Sequence, residues 1–174
     1  MYSEIKHFLI IFLKGYEQLL NIHMKLKEIF NESKNKHKST VDHFLTKNIQ
    51  TDTIDNNNFR KVIFTCKDMQ LVLMSLKPGE DIGTETHGTI DQFFRVESGE
   101  GSVMFNNQSF NIIKESAFIV PQGTKHNIKN TSKTEYLKLY TIYSPPRHNM
   151  TTVHKVKSDA MDDKEFFNGE INVK

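Results

Sequence analysis

Two short segments of the sequence carry imidazole, carboxylate and amide side chains at spacings that suit a divalent metal ion. Glu85 and His87 are two residues apart, and Gln92 follows five residues after His87. Residues two apart on a strand face the same side, so Glu85 and His87 would point together. His126 comes after a Pro-x-Gly turn that could aim a second strand toward the same interior. Nitrogen and oxygen donors that converge inside a small barrel favour a transition metal.

The chain from Phe59 onward has the pattern of a β protein. Short runs rich in branched and aromatic residues alternate with turn clusters that contain Gly, Pro, Asn or Ser. Many short strands without intervening helices favour an antiparallel sandwich or barrel. The predicted fold class is therefore mainly β, and the strand-like runs are 61–65, 71–74, 93–96, 102–105, 110–113, 117–120 and 137–143.

Residues 1–30 have a helical periodicity instead. Phe8, Phe12, Tyr16 and Leu19 recur at three- and four-residue steps, which predicts an amphipathic helix. The longest apolar run, residues 8–13, is far shorter than the roughly 20 residues that cross a bilayer, so no membrane partner is expected. Three segments are predicted: a helical extension and polar linker over 1–46, a barrel over 47–160, and a surface tail over 161–174.

Composition limits the class of protein but not its chemistry. The 174 residues include 13 Phe, enough for the core of one domain. A formal net charge of +2 gives no reason to expect a nucleic-acid partner. The single cysteine, Cys66, excludes an internal disulfide framework and fits a reducing compartment, so we expect a cytoplasmic protein.

Read in full, the two metal-binding segments match a known pair of motifs. They are Gly79-x5-Glu85-x-His87-x4-Gln92-x6-Gly99 and Pro121-x-Gly123-x2-His126-x3-Asn130. Across residues 52–157 they resemble the cupin superfamily, which implies a double-stranded β-helix, or jelly-roll barrel, with a metal inside. Three positions depart from the family pattern. Glu85 replaces a His, Gln92 replaces a Glu, and Glu115 replaces a Gly.

The resemblance implies that Glu85, His87, Gln92 and His126 hold one divalent transition metal: zinc, manganese, iron or nickel. The family allows three or four residues before its acidic ligand, and Asp91 fits the shorter gap. The six-residue interval before Gly99 selects Gln92, and Asp91 remains the alternative. Asn130 is expected to fix a loop. His148 and His154 are expected to be solvated.

The end of the barrel, residues 138–160, is similar to small single-domain cupins, some of which are labelled mannose-6-phosphate isomerase-like. The resemblance implies a metalloenzyme for a small-molecule substrate, such as a sugar-phosphate isomerase, and a homodimer. In this hypothesis Glu85 moves protons, and Arg95, Lys125 and Tyr140 bind the substrate. The alternatives are an iron-dependent dioxygenase and a non-catalytic module that binds a small molecule or metal.

Overall fold

The computed structural model of the chain describes residues 24–25, 45 and 47–172. The chain divides into two units, residues 1–43 and 44–174, and the described strands all belong to the second. Met24 and Lys25 are helical, and the rest of the predicted N-terminal helix and linker lies outside the described residues. The predicted segment boundaries at 46 and 160 stay predictions. Within the described ranges, no helix combines the length and apolar character needed to cross a bilayer.

Strands dominate the second unit, so the predicted mainly β class is confirmed. The strands are β1 (Arg60–Thr65), β2 (Gln70–Leu76), β3 (Asp91–Ser98), β4 (Glu100–Phe105), β5 (Gln108–Ile113), β6 (Ala117–Val120), β7 (His126–Asn130), β8 (Leu137–Ser144) and β9 (Val153–His154). Two short helices flank them, α1 (Ile49–Asp55) and α2 (Lys157–Asp162). The side chain of Asn48 caps α1 by accepting a hydrogen bond from the Thr51 backbone N–H.

The strands form two antiparallel sheets with a shared core. The larger sheet has the order β6-β3-β8-β2-β1-β9, and the smaller one has the order β5-β4-β7. Apolar side chains from both sheets belong to one buried cluster, for example Val72 and Phe94 from the larger sheet and Val103 and Ile128 from the smaller. The sheets therefore face each other, as expected for alternating strands that bury one face.

Asn130 fixes a loop, as the sequence predicted. Its buried side-chain Nδ2 donates to the carbonyl oxygens of Leu76, Lys77 and Glu135 at 2.8–3.0 Å. Its Oδ1 accepts from the Ser132 backbone N–H at 2.9 Å. The amide thus ties the end of β7 to the end of β2 and to the loop that leads into β8. The last residue of the second motif therefore has a structural role.

Glu115 keeps the turn that glycine would make in the related motif. Its φ is 73°, in the left-handed region that costs an L-residue roughly 1–2 kcal/mol. The backbone N–H of Glu115 donates to the Val96 carbonyl at 2.8 Å, and this bond holds the turn between β5 and β6 against β3. The departure at this position therefore changes the residue and leaves the backbone path intact.

Candidate metal centre

Backbone pairing brings the two metal-binding segments together. Glu85 lies outside the named strands but pairs with His126 at the start of β7. Each of the two residues donates its N–H to the other's carbonyl oxygen at 2.9 Å. The carbonyl of His87 accepts from the Gly123 N–H at 2.7 Å, which ties His87 to the Pro-x-Gly turn. Residues distant in sequence therefore meet because the turn before β7 delivers His126 beside Glu85.

Glu85, His87 and His126 form a tight group of donors, called here the metal cluster. One ligand atom from each lies within 4.8 Å of the other two. The Glu85 Oε2 atom is 3.2 Å from His87 Nε2 and 4.0 Å from His126 Nε2. His126 Nδ1 lies 3.0 Å from the Thr124 carbonyl oxygen, so it carries the proton and leaves the lone pair on Nε2. This is the arrangement that metal-binding histidines usually have.

Gln92 points toward the same interior, and Asp91 does not. Gln92 is 1% exposed and shares the inward parity of Phe94 and Val96 on β3. Both of its side-chain amide atoms are buried without a hydrogen-bond partner among the described residues. Asp91 is exposed, and its Oδ1 accepts from the Gln122 N–H at 2.9 Å. Asp91 therefore holds a turn, and Gln92 is the inward-facing one of the two candidates for the fourth position.

The charges around the metal cluster favour the protonation states that a metal requires. Burial raises the pKa of Glu85, but the His87 hydrogen bond and the nearby Arg60 guanidinium outweigh it and hold the pKa below its usual value. Burial lowers the pKa of His126 and keeps its imidazole neutral. An ionised carboxylate and neutral imidazoles are the ligand forms that bind divalent ions.

The donor set fits a divalent ion. The buried Nε2 of His126 and both amide atoms of Gln92 lack partners among the described residues, and unpaired buried polar atoms are costly. An ion held by Glu85, His87 and His126, with Gln92 as an oxygen donor, would satisfy the His126 nitrogen and the Gln92 oxygen. The side chains present thus supply up to four ligands with one negative charge.

A cavity of about 210 Å³ adjoins the metal cluster. Glu85 and His87 line it, together with several side chains of residues 147–165, called here the C-terminal segment. The cavity wall is strongly polar, and its charged or imidazole members are Arg60, Glu85, His87, Arg147, His148, His154, Lys157, Asp163 and Glu165. This wall can hold a small polar molecule next to the metal cluster.

The family model for the cupin domain matches residues 72–143, which include all four predicted ligands. The crystal structure of BH2720 from Bacillus halodurans superposes on the chain with a TM-score of 0.68 and 38% sequence identity. The superposition covers 71% of this chain and 98% of that one. The chain belongs to the cupin family. The resemblance that the two motifs indicated is therefore confirmed.

Two sequence relatives of this cupin agree over a shorter stretch. The uncharacterized protein YrkC of Bacillus subtilis is 48% identical over 120 residues, or 66% of this chain. The uncharacterized protein L612 of Acanthamoeba polyphaga mimivirus is 45% identical over 104 residues, or 58% of this chain. These matches span 64% and 65% of the relatives' own lengths. Neither name states an activity.

The C-terminal segment of the cupin corrects two predictions. His148 and His154 are each 5% exposed, so the expectation that they are solvated is wrong. His148 Nδ1 lies 2.6 Å from Glu165 Oε1, and His154 Nε2 lies 3.0 Å from Asp163 Oδ2. The two carboxylates belong to the predicted surface tail, most of which is exposed, and both line the cavity.

Arg95, Lys125 and Tyr140, the predicted substrate-binding residues, are not brought to the cavity. Arg95 and Tyr140 are register partners on β3 and β8, with the outward parity opposite to that of Gln92 and Tyr143. Arg95 is instead paired with Glu97 at 3.0 Å. Lys125 is exposed and precedes the inward-facing His126. The period of two in a strand thus sends these side chains away from the site.

Two cavity arginines were not among the predicted site residues. Arg60 opens β1 with the inward parity of Val62, and its NH2 atom lies 3.5 Å from Glu85 Oε1. Arg147 follows the Pro-Pro turn after β8 and lines the same cavity. The parity of Arg60 with buried Val62 was a usable signal, since an arginine on the inner face of a strand needs a partner.

We expect the free energy of unfolding of the metal-free cupin to decrease as the pH falls from about 6.5 to about 4. Burial, the main cause, lowers the pKa of His148 to about 4 despite the neighbouring Glu165. The unfolded chain, where the histidine pKa is about 6.5, therefore binds more protons in this range, and the loss attributable to His148 approaches about 3 kcal/mol.

Urea unfolding at a series of pH values checks this, with His148→Gln as the comparison. Other buried groups, such as His126, contribute the same sign of slope in both proteins. The difference between the two slopes therefore reports His148 together with the part of the lowered Glu165 pKa that depends on it. Equal slopes for the two proteins would contradict the expectation.

Proposed function

We propose that this cupin is a metal-dependent enzyme that acts on a small molecule held between the metal cluster and the C-terminal segment. The observation that carries the proposal is the convergence of Glu85, His87 and His126, of which Glu85 and His87 line a polar cavity. With Gln92 they would supply four ligands to an octahedral ion and leave two positions for other molecules. Closed structural sites have no such open positions.

A divalent ion, when bound, would polarise a substrate oxygen as a Lewis acid. The protein's own side chains would then orient the substrate and exclude water. The buried Tyr143 has a pKa raised to about 12, chiefly by burial, so its hydroxyl keeps its proton at neutral pH and can donate a hydrogen bond. Tyr143 neighbours one histidine of the metal cluster and one of the C-terminal segment. Its ring centroid is 6.1 Å from that of His87 and 5.2 Å from that of His148.

The size of the cavity favours a small substrate. A cavity of about 150 Å³ holds one benzene molecule, so about 210 Å³ accommodates a molecule only moderately larger. A hexose phosphate has more than twice as many non-hydrogen atoms as benzene. The cavity therefore gives no support to sugar-phosphate isomerisation, which stays a prediction. A cytoplasmic location, a homodimer and the identity of the metal also stay predictions.

The test begins with the metal-free protein and one equivalent of Mn²⁺. We expect the protein to bind the ion and to increase the relaxation rate of water protons above that of free Mn²⁺, because open positions admit exchanging water. Bound manganese without such an increase would indicate a closed, structural site and would contradict the proposal. Failure to bind the ion at all would contradict it as well.

Turnover then separates an enzyme from a binding module. The manganese- and zinc-loaded proteins would be incubated with a panel of small metabolites and followed by NMR. Metal-dependent consumption of one compound would support the enzyme. Saturable binding without product would favour the non-catalytic module instead.

A further inference from the structure

The Arg60 side chain has unused hydrogen-bonding capacity beside the metal cluster. It is 8% exposed, and its Nε is buried without a partner among the described residues. Its hydrogen bond within this part of the chain is the 3.5 Å contact from NH2 to Glu85 Oε1. A guanidinium offers five N–H donors, and a buried charge with so few acceptors is costly. The side chain is therefore placed to receive another acceptor from the cavity.

The charge of the cavity wall, once a metal is bound, also favours the binding of an anion. Among its Lys, Arg, Asp and Glu side chains, the wall has the three cations Arg60, Arg147 and Lys157 and the three carboxylates Glu85, Asp163 and Glu165. Lys157 is already paired with Asp81, which lies outside the wall, so the two arginines face one more carboxylate than they balance. A divalent ion in the metal cluster would add two positive charges and leave one in excess. A small anion would restore the balance.

The Glu85 carboxylate shows how close the guanidinium and the metal donors are. One of its oxygens contacts Arg60 NH2 at 3.5 Å, and the other contacts His87 Nε2 at 3.2 Å. The two partners are thus separated by the width of one carboxylate group. A second carboxylate, brought by a ligand, could contact the planar guanidinium and an ion in the metal cluster at the same time.

We propose that the substrate or ligand of this site is a small carboxylic acid whose carboxylate is recognised by Arg60. This inference rests on the proposed function, since it places the acid beside the bound metal. Arg147 lines the same cavity, its guanidinium stacks 4.4 Å from the Phe166 ring centroid, and it is available to a second anionic group. The cavity volume of about 210 Å³ suits an acid of a few carbon atoms.

The test uses the zinc-loaded full chain and calorimetric titration at constant ionic strength. The probes are acetate, pyruvate, oxalate and malonate, with malonamide as the uncharged match for malonate and inorganic phosphate as the competing anion class. Zinc retained by the protein is measured after each titration, because chelating acids can remove it. We expect at least one of the acids to bind saturably while malonamide does not.

Arg60→Gln is expected to weaken that binding at least tenfold while the zinc content stays at one equivalent. Arg60→Lys keeps the positive charge but lacks the planar guanidinium, so it should also weaken the binding of the acid. It replaces Arg60→Gln in the test if that variant does not fold. Lys125→Gln is the matched control, since Lys125 is exposed and outside the cavity, and it should bind like the unaltered protein.

Three outcomes would overturn the proposal. The first is that no acid binds to a protein that holds one equivalent of zinc, which leaves the metal site intact. The second is that phosphate binds and the acids do not. The third is that the Arg60 variants lose zinc together with the acid, which would mean that Arg60 acts by positioning Glu85. A protein that never takes up zinc contradicts the proposed function itself.

Discussion

Replacing His126 by alanine is expected to raise the dissociation constant of the bound metal by at least about a hundredfold. Partners that merely orient a metal ligand are worth 10- to 100-fold in affinity, and His126 is placed as a ligand. Its Nε2 lies 4.0 Å from Glu85 Oε2, and its Nδ1 donates to the Thr124 carbonyl. Alanine removes the nitrogen donor and leaves two of the three members of the metal cluster.

Thermal unfolding at a fixed zinc concentration measures the effect. At one hundred times the dissociation constant, the metal stabilises the unaltered protein by about 2.7 kcal/mol. That corresponds to a rise of about 5–10 °C in Tm for a protein of this size. A variant with hundredfold weaker binding would gain only about 0.4 kcal/mol at the same concentration. The zinc-dependent part of Tm should therefore almost disappear.

His154→Gln is the matched control for the loss of a buried histidine. His154 is also 5% exposed, but it pairs with Asp163 and lies outside the metal cluster. The zinc-dependent rise in Tm should persist in this variant, whatever its stability without metal. A full zinc response in His126→Ala would show that the ion binds elsewhere.

Gly99→Ala is expected to lower the free energy of unfolding by about 4 kcal/mol, one of the largest effects of a single methyl group. Gly99 joins β3 to β4 with φ of 87°, a conformation that costs an L-residue roughly 1–2 kcal/mol. The added Cβ would also overlap the carbonyl oxygen of Tyr136, a backbone atom that a side-chain rotation cannot move. The strain of the left-handed backbone and the steric overlap with Tyr136 therefore both destabilise the folded variant.

Urea unfolding of the metal-free proteins measures this change without a contribution from metal binding. Gly88→Ala is the control, because a Cβ at Gly88 meets no atom within 4 Å and its φ is outside the left-handed region. Its stability should stay within about 0.5 kcal/mol of the unaltered protein. If Gly99→Ala also stayed within that range, the close approach of the β3–β4 turn to Tyr136 would be contradicted.

Local sequence patterns predicted the strands and the inward or outward direction of many side chains. Gln92, Phe94 and Val96 are buried, whereas Asp91, Phe93 and Arg95 are exposed or half-buried, as that period requires. The spacing of the two motifs also predicted that Glu85, His87 and His126 would meet, since these motifs carry the turns that direct the side chains. The left-handed Glu115 shows that the backbone path persists even where the usual glycine is absent.

The same local patterns failed for the substrate-binding residues. Arg95 and Lys125 are close to the motifs in sequence, but proximity along a strand says nothing about which face a side chain occupies. The parity of Arg95 with Phe93, opposite to Gln92, sends it to the outer face of the larger sheet. The strand period therefore excludes Arg95 from the inner face, where a substrate would bind.

The sequence by itself thus determined the family, the β-strand pattern and the metal-binding motifs, because each depends on residues a few positions apart or on fixed spacings. The tertiary structure alone decided what faces the metal cluster. Arg60 reaches Glu85 across 25 residues, and Gln70 binds the His148 carbonyl across 78, which anchors the C-terminal segment over the cavity. Such contacts arise from the pairing of strands distant in sequence and from tail packing, for which no local periodicity exists.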